Sequence, residues 1–122
     1  MMELMINGVT YIFKAGIGFM YAADKTYVTK DDNGREVKQG LSYMIAEIMD
    51  GNIETLVKAL YMMNEGQSPR LKKSDIEDYI EDESTDIDEL FKEVLDFFEK
   101  SNCTKKTVQK LNKIIQEQQT KK

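Results

Sequence analysis

Several residue types are absent or scarce in this 122-residue chain, and their absence excludes whole classes of function. There is no histidine, which is the commonest general base and the commonest transition-metal ligand in proteins. The single cysteine, Cys103, has no partner for an internal disulfide and no histidine to activate it as a nucleophile. We therefore expect a protein that is not an enzyme, that uses no metal or other cofactor, and that resides in a reducing compartment.

Long apolar runs are also missing. No stretch approaches the roughly 18–20 residues of a membrane span. The first residues, MMELMINGV, lack the basic region and following apolar stretch of a signal peptide. The net charge of −5 disfavours nucleic acid as a partner, because phosphate contacts need clustered lysine and arginine. We expect a cytoplasmic protein that contacts neither membranes nor nucleic acid.

Charge is distributed unevenly along the chain. The segment from Ser74 to Glu99 contains twelve acids and one lysine, a net charge of −11, whereas Lys100 to Lys122 contains seven lysines and one acid, a net charge of +6. Such regions attract each other between copies as well as within one copy, so we expect self-association that weakens in salt. The acids lie opposite an apolar helical stripe, which indicates a solvated face rather than a catalytic pair of carboxylates.

Residues 2–14 are typical of a β-hairpin. The pair Asn7-Gly8 is preferred in a two-residue type I′ turn, because both positions need a positive φ. A two-residue turn would place six apolar residues opposite one another on one face: Met2 with Phe13, Leu4 with Tyr11, and Ile6 with Val9. An isolated hairpin is marginally stable in water, so this face must be covered by helices or by another chain.

The segment after the hairpin is less regular. Gly16 to Thr26 is predicted to be a short helix with Ile17, Met20 and Tyr21 facing inward. Residues 28–38 contain two short β-prone pieces around a DDNG turn, and form either a variable loop or a second hairpin. The DDNG run resembles part of a calcium-binding loop, but the glutamate that an EF-hand needs is missing.

Residues 41–119 form the helical part of the prediction. A helix from Leu41 to Asp50 ends at Gly51, and Asn52 caps the next helix. The inward residues of the first are Leu41, Met44, Ile45 and Ile48, and those of the second are Ile53, Leu56, Val57, Leu60 and Tyr61.

Three further helix starts are predicted in the second half of the chain. Ser74 with Glu77 and Thr85 with Asp88 have the spacing of capping boxes, and Thr104 opens the last helix. The helix after Thr85 has an apolar stripe at the 3.6-residue period, composed of Ile87, Leu90, Phe91, Val94, Leu95 and Phe98. We therefore predict a single α+β domain over residues 1–122 that is predominantly α-helical. An N-terminal β-hairpin is followed by about five to six short helices and a polar C-terminal tail.

Four residues are candidates for contact with another protein. Phe97 points about 100° away from Phe98 on the same helix, so it either widens the buried stripe or reaches a second surface. Val108, Leu111 and Ile115 share one face of the last helix. They either close the core or supply the anchors with which one helix binds another protein.

Three motifs resemble the tail assembly chaperones of long-tailed phages and prophages of Gram-positive bacteria. They are M-E-L-x-I-N-G-x-x-Y-x-F-K-x-G-I-G-F at Met2–Phe19, A-L-Y-x-x-N at Ala59–Asn64, and D-I-E-D-Y-I-E-D-E-x-T-D-I-D-E-L-F-x-E-V-L-D-F-F-E-K-S-N-x-T-K-K at Asp75–Lys106. The resemblance covers nearly the whole chain in order. The polar stretch Val28–Lys38 departs from it by being longer than expected.

The resemblance implies a non-catalytic protein of the host bacterial cytoplasm that is absent from the finished virion. Such a chaperone would bind the tape measure protein, keep it soluble, and help to recruit tail-tube subunits. The family resemblance also implies a longer product, made by ribosomal frameshifting near Lys121-Lys122, that contacts the tail-tube protein. The alternative function is a small acidic regulator or a DNA-mimicking anti-restriction protein, because the segment of charge −11 supplies the charge that such a mimic needs.

Overall fold

The structure is a computed structural model that describes residues 1–120, with the backbone alone for Thr29, Gln119 and Thr120. Two short antiparallel hairpins and six helices follow one another within these residues. The strands are β1 (Met2–Ile6), β2 (Val9–Phe13), β3 (Val28–Lys30) and β4 (Glu36–Lys38). The helices are α1 (Ile17–Thr26), α2 (Gly40–Met49), α3 (Ile53–Met63), α4 (Lys73–Glu81), α5 (Ile87–Lys100) and α6 (Lys105–Thr120). The predicted α+β class, mainly helical with an N-terminal hairpin, is confirmed.

The first hairpin has the predicted turn and register. Asn7 and Gly8 adopt φ values of 53° and 76°, as a type I′ turn requires. Cα pairing joins Met2 to Phe13, Leu4 to Tyr11 and Ile6 to Val9. All of these side chains except that of Val9 are buried, so the apolar face of the hairpin is covered by the helices.

Residues 28–38 form a second hairpin rather than an irregular loop. Val28 pairs with Lys38 and Lys30 with Glu36. At the turn, Asp31 Oδ1 accepts hydrogen bonds from the backbone N–H groups of Asn33 and Arg35, each at 2.9 Å. This ribbon is almost entirely exposed, so its hydrogen bonds rather than a core hold it together.

The inward face predicted for α1 is wrong for two of its three residues, because only Met20 packs against the core. Phe19 and Ala23 are buried, whereas Ile17 and Tyr21 are exposed and Met20 is half-buried. The buried pair, Phe19 and Ala23, lies two positions after the exposed pair, Ile17 and Tyr21, which corresponds to about 200° around a helix. Long-range partners determine the choice: Phe19 stacks on Phe98 of α5, with ring centroids 5.7 Å apart.

Helices α2 and α3 largely agree with the prediction. The inward stripe of α2 is buried, Gly51 has a φ of 83°, and Asn52 Oδ1 accepts the cap hydrogen bond from Thr55 N at 3.0 Å. In α3, the central residues Leu56, Val57 and Leu60 are buried. The predicted inward positions Ile53 and Tyr61 are instead exposed, because they lie at the edges of the stripe.

Both predicted capping boxes are wrong. α4 begins at Lys73, before Ser74, and the residue that precedes it, Lys72, makes no side-chain cap. In α5 the cap is Asp86, whose carboxylate accepts a hydrogen bond from Glu89 N at 3.1 Å. The Thr85 hydroxyl donates instead to the carbonyl oxygen of Tyr79 at 2.6 Å and so ties the α4–α5 turn to the last residues of α4.

The core lies between the inner face of the first hairpin and the stripes of α2, α3 and α5. The predicted α5 stripe is confirmed: Leu90, Val94 and Phe98 are buried, and its other members are half-buried against the core. Thr104 precedes α6 as predicted, and its hydroxyl donates to the carbonyl oxygen of Phe98 at 2.6 Å. This bond fixes the point from which α6 leaves α5.

Candidate protein-interaction surfaces

The first half of α6 is anchored in the core. Val108 is 3% exposed and belongs to the buried core cluster, and Leu111 is half-buried against that cluster. The helix packs there on α2 and α5. Val108 therefore helps to close the core, which is one of the two roles predicted for this face of α6; the other is contact with another protein.

The second half of α6 extends beyond the core. Residues 112–118 are all exposed, and Ile114 and Ile115 each expose 42% of their surface. Ile115 continues the stripe of Val108 and Leu111 around the helix, but it belongs neither to the buried core cluster nor to the half-buried residues packed against that cluster. We name residues 112–118 the α6 end.

Phe97 lies at a different place, in a groove between β1 and α5. Its cavity measures about 810 Å³ and is lined by Met1, Met2, Glu3, Glu89, Glu93, Asp96, Phe97, Lys100 and Ser101. We name this the acidic groove, since four carboxylates face a single lysine side chain. Half-buried Phe97 and exposed Met1 give it an apolar part. The structure thus does not bring the four predicted contact residues together: Phe97 lines a groove to which no α6 residue contributes.

A third surface was not predicted from the sequence. A cavity of about 530 Å³ is lined by Thr26, Tyr27, Val28, Gln39, Ser42 and Tyr43. It adjoins a smaller one of about 200 Å³, to which Val28 also contributes, together with Tyr21, Asp24, Lys25, Glu36 and Lys38. We name the pair the aromatic groove. Tyr21, Val28 and Tyr43 each expose about half of their surface along it.

The two tyrosines at the centre of the aromatic groove are held in place. The rings of Tyr27 and Tyr43 lie 4.7 Å apart and tilted by 45°, and the ammonium of Lys58 lies 5.8 Å from the Tyr27 ring. A hydrogen bond to the Glu47 carboxylate, and the negative charge of that carboxylate, raise the pKa of Tyr43 above its ordinary value. The Glu47 carboxylate also accepts a hydrogen bond from the Asn52 side chain at 2.8 Å. Fixed, exposed tyrosines of this kind are common in protein interfaces.

The sequence signal for the aromatic groove was weak. The sequence predicts that Tyr21 faces inward, and it allows either a loop or a hairpin for the segment that contains Val28. Tyr27 and Tyr43 belong to different elements, so no local spacing connects them. Only the packing of α1 against α2 brings these residues to one surface.

Two negative findings complete the description of the surface. None of the helices in residues 1–120 has both the length and the apolar composition that a membrane crossing needs. Over the same residues, no three cysteine, aspartate or glutamate side chains converge closely enough to hold a metal ion.

Comparison with known proteins gives one match. A family model described as phage tail assembly chaperone protein, TAC, matches residues 3–113. Searches of curated proteins and of solved structures found no match. The matched residues run from β1 into α6, so they include nearly all of both hairpins, the acidic groove apart from Met1 and Met2, and the first nine residues of α6. They cover nearly the whole chain and favour the chaperone over the DNA mimic. The chain therefore belongs to the phage tail assembly chaperone family.

Proposed function

We propose that this protein binds the tape measure protein of its phage or prophage in the host cytoplasm, keeps it soluble, and leaves before the tail is finished. In this proposal it is non-catalytic. Its membership of the tail assembly chaperone family supports the general role. A long helical tape measure exposes apolar surface until the tube encloses it, and such surface aggregates unless it is covered.

The aromatic groove is the surface that we assign to the tape measure. Helix-in-groove binding needs exposed apolar side chains along a concavity, and Tyr21, Val28 and Tyr43 provide them. The predicted anchors on α6 fit this role less well, because Val108 is buried. The exposure of Tyr43, 49% of whose surface faces solvent beside Tyr27, is the observation that carries this assignment.

The acids would serve a different purpose in the same process. The acids of α4 and α5 are mostly exposed, and the chain carries a net charge of −5. Many acidic copies on one tape measure would repel other coated particles and keep them apart. In this arrangement the apolar groove faces the tape measure and the acidic faces remain in water.

Co-expression with the tape measure protein tests the proposal. The double variant Tyr21→Ser/Tyr43→Ser should fold, because both side chains are about half exposed, but it should leave the tape measure in the insoluble fraction. Ile53→Ser is the matched control, since Ile53 is an apolar residue that is 49% exposed and lies outside the aromatic groove. Equal tape measure solubility with the double variant and with the control would contradict the proposal. Thermal unfolding of each variant verifies that the fold is intact.

We further propose that tail-tube subunits are recruited by a longer product that shares this chain. The support is the family resemblance, and the Lys121-Lys122 pair named for the frameshift lies outside the described residues. The coding sequence tests the idea directly. A slippery heptamer near the last codons with an overlapping downstream frame would support it. A coding sequence with neither feature would remove the longer product and leave the tape measure proposal standing.

A further inference from the structure

The outer edge of β1 carries backbone groups that no other strand pairs with. The first hairpin is a two-stranded sheet, so β1 has β2 on one side only. In an antiparallel pair, residues along a strand direct their N–H and C=O groups alternately toward the partner strand and away from it. The two residues that flank the turn bond to each other, so Glu3 and Met5 direct their backbone groups outward. Among residues 1–120, no other backbone or side chain forms a hydrogen bond with these groups.

The opposite edge of the hairpin, that of β2, is partly covered by the chain itself. The carbonyl oxygen of Ile12 accepts a hydrogen bond from the Asn64 amide at 3.0 Å. Just after β2, Lys14 N donates to the carbonyl oxygen of Met63 at 2.8 Å. The end of α3 therefore occupies part of the place where a strand would add to β2. β1 has no such cover, and it lacks the proline or bulge with which proteins often protect a strand edge.

We propose that an extended segment of another protein adds to the β1 edge as a third strand. Its backbone exchanges hydrogen bonds with Glu3 and Met5, both of which are exposed. β1 extends over about 17 Å, so about five residues of the partner take part. The acidic groove lies beside this edge, because Glu3 belongs both to β1 and to the lining of the groove. The added strand thus enters the groove between β1 and α5.

The charges of the groove identify the chemistry of the partner. Four carboxylates and one ammonium line it, from Glu3, Glu89, Glu93, Asp96 and Lys100. A strand with lysine or arginine at alternate positions directs these side chains together into the groove, since alternate residues share one face. Half-buried Phe97 lies among the carboxylates and packs against the apolar stems of such side chains. The occupant is therefore a basic segment in an extended conformation.

A second copy of this chain does not fit the same edge. Pairing of two β1 edges brings the two Glu3 side chains and the two acidic grooves together, and like charges across strands are destabilising. The lysines of α6 lie on a helix, which offers no strand edge. The aromatic groove, assigned above to the tape measure, shares no lining residue with the acidic groove. The inference therefore goes beyond the proposed function and does not depend on it.

A synthetic peptide of sequence TKVKVKT with blocked ends tests the inference on the purified full chain at low salt. It should bind saturably and slow the hydrogen exchange of the Glu3 and Met5 amides by about tenfold or more, because both amides then donate to the peptide. The Thr10 amide faces outward on the β2 edge and should exchange at an unchanged rate. The acidic peptide TEVEVET should bind about tenfold more weakly or not at all, since the groove repels it. NMR measures the binding and the exchange of each amide.

A proline substitution removes one outward donor without removing a hydrogen bond of the hairpin. Met5→Pro deletes an N–H group that faces away from β2, a position at which edge strands accept proline. It should weaken binding of the basic peptide by about tenfold. Thr10→Pro is the matched control, because it makes the same change at the residue paired with Met5, on the β2 edge, and should bind the peptide like the original chain. Thermal unfolding verifies the fold of both variants.

Neutralisation of the groove provides a second test that leaves the strands unchanged. Glu93→Gln/Asp96→Asn alters two exposed residues and should weaken binding of the basic peptide by about tenfold. Glu81→Gln/Glu83→Gln is the control, since it removes the same charge outside the groove and should leave the affinity unchanged.

Binding of the basic peptide, protection of the two β1 amides, and weaker binding by Met5→Pro and by the neutralised groove support the inference. Absence of binding, equal binding of the two peptides, binding without protection of these amides, or unchanged affinity of the neutralised groove overturns it. Protection of the same amides that rises with chain concentration in the absence of peptide assigns the edge to a second copy, which also overturns it. All of these experiments omit the tape measure, so their failure leaves the proposed function intact.

Discussion

The side-chain amide of Asn64 donates a hydrogen bond to the carbonyl oxygen of Ile12 at 3.0 Å, across 52 positions of sequence. Asn64 is fully buried, and its amide also lies 3.3 Å from the carbonyl oxygen of Pro69. Its own oxygen accepts from Leu71 N at 2.6 Å and from the Arg70 guanidinium at 2.9 Å. One side chain thus joins the first hairpin, the end of α3 and the segment that leads to α4.

Replacement of Asn64 by aspartate should destabilise the protein by about 3 kcal/mol, because it removes both donors and leaves buried carbonyl oxygens without partners. It would also place a carboxylate beside the carbonyl oxygens of Ile12 and Pro69. Asn112→Asp makes the same chemical change at an exposed site on α6 and should cost less than about 0.5 kcal/mol. Urea unfolding measures both. Similar losses in the two variants would mean that the buried contacts of Asn64 do not contribute as described.

Local chemistry determined which parts of the fold could be predicted. The first hairpin was predicted because Asn7-Gly8 specifies its turn and register without distant partners. The role of Asn64 could not be predicted, although it ends the A-L-Y-x-x-N motif, since its partners come from β2 and the α3–α4 segment. The inward face of α1 was wrong for two of its three residues for the same reason: Phe98 selects Phe19, and Gly40 allows close packing at Ala23.

The candidate contact residues show a similar limit. Val108, Leu111 and Ile115 recur at helical spacing on one face, so the sequence pattern predicts the same burial for all three. Their burial decreases along α6 because the core ends before the helix does. Where a core ends depends on the lengths of the packed neighbours α2 and α5, which the pattern of one helix does not contain.

Gly40 should not tolerate a side chain. A Cβ built there would overlap the carbonyl oxygen of Ala23 and lie 2.6 Å from the Cα of Asp24, both backbone atoms that cannot rotate away. The Asp24 carboxylate also accepts a hydrogen bond from Leu41 N at 3.1 Å, so displacement of α1 would weaken the start of α2. Gly40→Ala should therefore cost about 2 kcal/mol.

Gly18→Ala is the matched control for this substitution. Gly18 lies in α1, and a Cβ there meets nothing within 4 Å. Alanine should leave stability unchanged or raise it by up to about 1 kcal/mol, because it favours the helix. Thermal unfolding compares the two variants. A Gly40→Ala protein as stable as Gly18→Ala would show that α1 and α2 can separate without loss.

The phenol of Tyr43 should titrate at a higher pH than an ordinary tyrosine. Its hydrogen bond to the Glu47 carboxylate, together with the negative charge of that group, favours the neutral phenol and raises its pKa above 10.0. The stabilising effect of this pair is therefore present below pH 10 and is lost as the pH rises through the raised pKa. Glu47→Gln should lower the Tyr43 pKa, whereas Glu65→Gln should leave it unchanged. Titration of the Tyr43 ring by NMR measures the shift, and an unchanged pKa in Glu47→Gln would exclude Glu47 as its cause.

Aspartate substitutions along α6 should distinguish a core position from a surface position of the same helix by their effects on stability. Leu111→Asp places a carboxylate against the core at a half-buried position and should destabilise the protein by about 2 kcal/mol. Ile115→Asp makes the same kind of change one turn later, at a position that is 42% exposed, and should cost less than about 0.5 kcal/mol. Urea unfolding measures both stabilities. Equal destabilisation by the two substitutions would instead place Ile115 in the core, and a stable Leu111→Asp chain would mean that the core ends before Leu111.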